Sequence, residues 1–219
     1  MNKPAILAAY NWRHACKEFD GSRTIKAEDF EFLLEIIHLS PSSFGLQPYE
    51  VFVLRNKGLL AALHPQMWGA QKSLLTASEI VLFATKKDIT IQDNYFDHIV
   101  VEIQQTPADL LEMRRNLINN HQLNEIGMTR DPRYLDEWAA RQAYIALGNL
   151  MSAAAEIGID SCPIEGFLKA EVTQVLERHQ VFDSKLYQPA VFCALGYRVV
   201  APARPKTRKP LAELVHIIG

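Results

Sequence analysis

The stretch between residues 132 and 157 constrains this chain more than any other. Asp131 suits a helix N-cap, Pro132 suits a first helical residue, and Gly158 suits the position just past a helix end. The first half is amphipathic, with Leu135, Trp138 and Ala139 set against Asp136, Glu137 and Arg141. The second half, 143–155, is nearly apolar all round and rich in small residues. A helix without a polar face must be covered on every side. The pattern therefore predicts a helix at the centre of the domain, or one shared with a second subunit.

The remaining elements arrange themselves around it. Pro4 opens a first helix containing Ile6, Leu7 and Tyr10, and the run 19–22 is a turn signal. A second helix starts near Ala27, where Glu28 and Asp29 suit the positive end. Phe30, Leu33, Leu34 and Ile37 give its apolar stripe, and Ser40-Pro41 stops it. Continuous apolar runs at 50–54 and 79–83 read as strands buried on both faces. A short strand at 159–162, a helix at 168–176 and a strand at 190–195 follow the long helix. Residues 88–113 carry six acids (Asp88, Asp93, Asp97, Glu102, Asp109 and Glu112) and no Lys or Arg, which reads as a solvated surface excursion. The pattern predicts one α+β domain over residues 1–219.

Composition removes several functional classes. Twenty-three Lys and Arg against 25 Asp and Glu leave a net charge of −2, whereas a general nucleic-acid binder needs a large positive surplus. The longest apolar runs are far below the roughly 18 residues that cross a bilayer, so no membrane association is expected. Cys16, Cys162 and Cys193 show no C-x-x-C spacing, which points to a reduced, cytoplasmic setting. The scattered histidines give no zinc signature.

Four segments carry candidate chemistry. Arg13, His14 and Lys17 follow the first helix, and Arg13 and Lys17 share a face if that helix continues. Lys206 and Arg208 alternate in a proline-flanked extended segment and so point the same way. Both groups suit phosphate, although each alone also fits a solvated charge patch. The run 40–48, S-P-S-S-F-G-L-Q-P, reads equally as a turn or as a rigid polar loop facing a planar ligand. Pro163, Ile164, Glu165 and Gly166 join a strand to a helix, where backbone N–H groups and a glycine permit close approach. Cys162 and Cys193 read as small core residues.

Together these segments resemble the flavin-dependent nitroreductase family, in particular its oxygen-insensitive NAD(P)H nitroreductase and dihydropteridine reductase branch. The resemblance runs through R-H-A-C-K-E-F-D at 13–20, the serine loop at 40–48 and A-S-E-I-V-L-F-A at 77–84. It continues through G-N-L at 148–150, D-S-C-P-I-E-G-F at 160–167 and P-K-T-R at 205–208. It implies an intertwined homodimer with a central mixed, mainly antiparallel sheet flanked by helices and one FMN at each end of the subunit interface. Arg13, His14, Lys206 and Arg208 would hold the FMN phosphate, and Lys17 would lie beside the ribityl chain and pyrimidine edge. Pro163, Ile164, Glu165 and Gly166 would line one flavin face, with Pro41, Ser42, Ser43 and Gly45 reaching in from the other subunit.

The implied activity is ping-pong hydride transfer from NADPH or NADH, through flavin N5, to a nitroaromatic, quinone or similar small-molecule acceptor, with no catalytic side chain required. Alternatives in the same fold are a dihydropteridine reductase, a flavin reductase, or a flavin-binding protein with little turnover. The chain departs from its relatives at Ala15, where many carry a phosphate-contacting Ser. Gln71 is the candidate for a further flavin contact, with Lys72 and Ser73 as neighbouring registers. No aromatic occurs over 121–126, where the family often places one above the flavin, and Phe44 is the candidate substitute on the substrate side.

Overall fold

The computed structural model describes residues 2–70 and 72–219. Helices α1 (Lys3–Trp12) and α2 (Ala27–His38) precede strand β1 (Tyr49–Val53). The short helices α3 (Lys57–Leu63) and α4 (Ser73–Thr76) then lead into β2 (Glu79–Lys86). An insertion holding α5 (Asn94–Asp97) and α6 (Leu111–Asn120) leads to the long helix α7 (Arg133–Glu156). The chain continues through β3 (Asp160–Ile164), α8 (Lys169–Arg178) and β4 (Tyr187–Gly196), and ends near α9 (Leu211–Leu214). The strands form one antiparallel sheet in the order β1-β2-β4-β3, and a single parallel bridge, Ala15 to Ser161, adds a mixed element at its β3 edge.

Strand alternation divides the core into two layers. On one face Ile80, Leu82, Phe192 and Cys162 pack with Leu59 and Leu63 of α3 and Val172 and Leu176 of α8. On the other, Val81, Phe83, Val191 and Cys193 pack with Leu33 and Ile37 of α2 and Ala146, Leu147 and Leu150 of α7. Cys16, Cys162 and Cys193 are free thiols buried in these layers. Among the described residues no helix is long and apolar enough to cross a membrane.

The helix ends follow local chemistry. Pro132 is the N-cap of α7, and the Asp131 carboxylate just before it accepts the Arg133 N–H at 2.9 Å. Gly158 closes the helix at φ +77°, where a side chain would be strained.

Three expectations need correction. β2 is buried along nearly its whole length, but β1 is an edge strand in which only Tyr49 is buried, because no strand pairs beyond it. The acidic stretch 88–113 is not simply solvated. Its Phe96, Ile99 and Val100 join Ile118, Leu135 and Trp138 in a third core beneath the insertion. Of the two alternatives for α7, the fully enclosed domain-centre helix fails within one chain, since Tyr144 and Ile145 are exposed while Gly148 and Ser152 are only half-buried.

Candidate functional site

The end of α1 is tied to the sheet by its backbone. Arg13 is the C-cap, with extended geometry, so the chain leaves the helix there, and the Cys16 N–H donates to the Ser161 carbonyl at 3.1 Å. Helical stacking therefore does not bring Arg13 and Lys17 together. Lys17 turns toward β3 instead, with Nζ 3.6 Å from Cys162 Sγ.

Asp160, buried at the start of β3, organises the surrounding chain. Its Oδ2 accepts the Arg198 backbone N–H at 2.9 Å and Nε at 3.0 Å, and its Oδ1 lies 2.5 Å from the same guanidinium. Arg198 in turn stacks on the Trp12 ring, with Cζ 3.9 Å from the ring centroid. This fastens the segment after β4 alongside the end of α1, and a depression of about 680 Å³ opens between them. Arg13, His14, Pro163, Arg204, Lys206 and Arg208 line it.

The electrostatics favour an anion. Among the described residues no carboxylate pairs with Arg13, Arg204, Lys206 or Arg208, and Asp160 is committed to Arg198. Burial, with Arg13 and Arg208 nearby, lowers the Lys206 pKa, and Lys206 Nζ donates to the Tyr10 carbonyl. Burial and the Arg198 charge lower the His14 pKa, although Asp160 Oδ1 lies 3.8 Å from its Nδ1. That Nδ1 is buried without a hydrogen-bond partner. His14, Cys16 and Asp160 also bring possible metal-ligand atoms within 4.8 Å of one another. Arg198 already occupies the carboxylate, however, and burial pushes the Cys16 thiol up to about 11, against the thiolate a metal requires.

The 163–166 segment lies between this depression and a second of about 670 Å³, which Tyr144, Glu165, Phe167 and Lys169 help to line. Pro163 faces the first depression, while the Ile164 side chain is buried in the core. Glu165 is exposed and accepts a 2.8 Å hydrogen bond from the Tyr144 hydroxyl of α7. Gly166 is required by a neighbouring strand of backbone. The Gly69 N–H donates to its carbonyl at 2.7 Å, and a Cβ on Gly166 would come within 2.9 Å of both the Gly69 Cα and the Trp68 ring.

The serine loop lies elsewhere. Ser43 N–H donates to the Gln142 side chain of α7 at 2.9 Å, Asn149 donates to Ser40 Oγ at 2.9 Å, and Ser42 Oγ accepts the Gln47 N–H at 2.8 Å. None of Pro41, Ser42, Ser43, Phe44 or Gly45 lines either depression of its own chain. The Gln71 assignment falls outside the described residues. Its neighbour Lys72 pairs with Glu18 at 2.9 Å. Sequence reasoning gave no role to Asp160, Arg198, Trp12 or Tyr144. The sequence signal for the first pair was an acid opening the 160–167 motif and a base two residues past Gly196.

The antiparallel sheet flanked by helices, with a cation-lined depression at one edge, is a fold shared with solved nitroreductases. A "putative nitroreductase in complex with FMN" from Exiguobacterium sibiricum 255-15 superposes with a TM-score of 0.77 over 100% of this chain and 98% of that one, at 21% identity. This chain belongs to the nitroreductase family, whose model, described as "Nitroreductase family", matches residues 10–197. "Putative NAD(P)H nitroreductase YfkO" of Bacillus subtilis (strain 168) is 43% identical over 215 residues, covering 97% of each chain. "Putative NAD(P)H nitroreductase SH0546" of Staphylococcus haemolyticus (strain JCSC1435) is 40% identical over 213 residues, again covering 97% of each.

Proposed function

We propose that this chain is an FMN-dependent NAD(P)H oxidoreductase, a single FMN-binding domain acting as a homodimer, that reduces nitroaromatics, quinones or related acceptors by a ping-pong route. The observation that carries this reading is the convergence of Arg13, Lys206 and Arg208, without acidic partners, beside His14 and Pro163. A phosphomonoester carries close to two negative charges and three acceptor oxygens, which matches a set of cationic N–H donors without carboxylate partners. The residues present therefore fit a phosphorylated planar cofactor.

Arg13, Lys206 and Arg208 hold the phosphate, and His14 adds a ring nitrogen at the same place. Lys17, turned toward β3 beside Cys162, sets a positive charge next to the strand that leads to Pro163. A cation there stabilises negative charge on a reduced ring system. Pro163 and the backbone of 164–166 supply the wall against which the ring lies. When bound, FMN would supply the two-electron hydride chemistry between NAD(P)H and the acceptor, so no side chain need act as acid or nucleophile. In a homodimer Pro41, Ser42, Ser43 and Gly45 approach from the other subunit, and this accounts for their distance from the depression of their own chain.

The phosphate assignment has a direct test. The Lys206→Ala/Arg208→Ala double variant should weaken FMN by about 100-fold or more, the scale of two lost charge-assisted hydrogen bonds. Riboflavin, which lacks the phosphate, should bind both proteins alike in a fluorescence-quenching titration. Equal weakening of the two flavins would remove the assignment.

A further inference from the structure

We propose that Gln104 and Arg114, both in the insertion between β2 and α7, are positioning residues that hold Phe44 as a wall of the other subunit's acceptor site in the proposed homodimer. The role at the acceptor site rests on the oxidoreductase reading above, whereas the clamp itself is a property of the fold.

The serine loop is conformationally costly. Phe44 sits at φ +56° and Gln47 at +43°, a region that bulky L-residues rarely adopt, with Gly45 between them at +65°. Such a backbone persists only where its surroundings over-determine it, and strained segments of this kind gather at ligand sites. Here the constraint comes from the insertion. Gln104 Nε2 donates to the carbonyls of Phe44 at 3.0 Å and Gly45 at 3.1 Å. Arg114 donates to the same Phe44 carbonyl at 3.0 Å and to Gln104 Oε1 at 2.5 Å, which fixes the Gln104 amide with its NH₂ toward the loop. The approach is so close that a Cβ at position 45 would lie 2.9 Å from Gln104 Nε2.

Arg114 has no carboxylate partner among the described residues, and its Nε is buried without a hydrogen bond. Its guanidinium is thus committed to the loop and to the amide that grips it. The ring is fixed as well. Phe44 packs edge-on against His121 at 5.0 Å between centroids, and His121 packs against Trp138 at 6.5 Å. Gln104 directly follows a π-helical turn, His98–Ile103, and His121 opens another, His121–Glu125. Arg114 lies on α6 between them. The insertion thereby presents a half-buried aromatic ring, set in place at both backbone and side chain, to planar aromatic acceptors.

The test uses the FMN-loaded protein with a nitrofuran as acceptor probe. Arg114→Ala and Gln104→Ala should each raise the nitrofuran KM by about tenfold, the scale expected when a positioning contact is lost. Arg114→Lys should recover part of the KM. In the Phe44→Ala background Arg114→Ala should add nothing, because the ring it positions is gone. An unchanged KM in both single variants, or additive effects with Phe44→Ala, would overturn the acceptor-site role. Amide hydrogen exchange on the unliganded protein examines the clamp independently of turnover. Exchange over residues 42–47 should accelerate in Arg114→Ala while α7 is unchanged, and identical loop exchange would overturn the clamp. A wild-type protein that oxidises neither NADPH nor NADH would instead count against the proposed function and leave the exchange result standing.

Discussion

Asp160 illustrates how one buried charge can organise a binding surface it does not itself form. Its carboxylate fixes the Arg198 backbone and side chain, and the chain beyond β4 is thereby laid against the end of α1. Removing one partner of such a pair leaves an uncompensated buried charge, so breaking this contact is strongly destabilising. His14 sits in the same place and gives a pH signature. Its pKa is depressed below the ordinary 6.5 by burial and by Arg198, so the folded protein binds fewer protons there than the unfolded chain. Stability from this group is therefore complete above 6.5 and declines as pH falls through that value toward the folded pKa. The unliganded protein should lose melting temperature between pH 7.5 and pH 5.5, and His14→Gln should flatten the decline. An equal decline in the variant would place its origin elsewhere.

The contact between Gly69 and Gly166 sets the position of the loop after β3 by backbone proximity. Gly166→Ala would force a methyl group to within 2.9 Å of the Gly69 Cα, and overpacking of this kind costs about 1–3 kcal/mol. We expect a lower urea midpoint together with weaker flavin retention, and unchanged values for both would show that the loop yields. The long helix and β2 were legible in sequence because a long periodic stretch and a continuous apolar run have few alternative foldings. The acidic insertion was not. Its apolar Phe96, Ile99 and Val100 do keep the i, i+3, i+4 spacing of a helical stripe, but six acids with no Lys or Arg among 88–113 pointed to a solvated face and masked it. The edge position of β1 was equally invisible, since strand order is set by tertiary pairing. Of the residues proposed to hold phosphate, Lys206 and Arg208 were readable as a pair, but their approach to Arg13 runs through the Asp160–Arg198 contact, which no local pattern encodes.

The whole molecule leaves several apolar groups uncovered. Leu7 and Tyr10 of α1, Tyr144 and Ile145 of α7, and the arm from Leu211 to Ile218 are exposed, with Ile217 and Ile218 more than 90% accessible. Burying five aliphatic arm residues is worth on the order of 10 kcal/mol before the cost of association, enough to favour a second copy as the cover. Light scattering should therefore give twice the chain mass, and deletion of residues 211–219 should shift the equilibrium toward monomer and release flavin. A full-length monomer at micromolar concentration would contradict the dimer. Flavin binding and reduction are both read from the visible spectrum of the FMN-loaded protein under anaerobic addition of NADPH and then NADH. A flavin band that bleaches with either donor and returns on adding a quinone is the predicted result. A protein that stays colourless after incubation with FMN, or a flavin band that neither donor bleaches, would contradict the account.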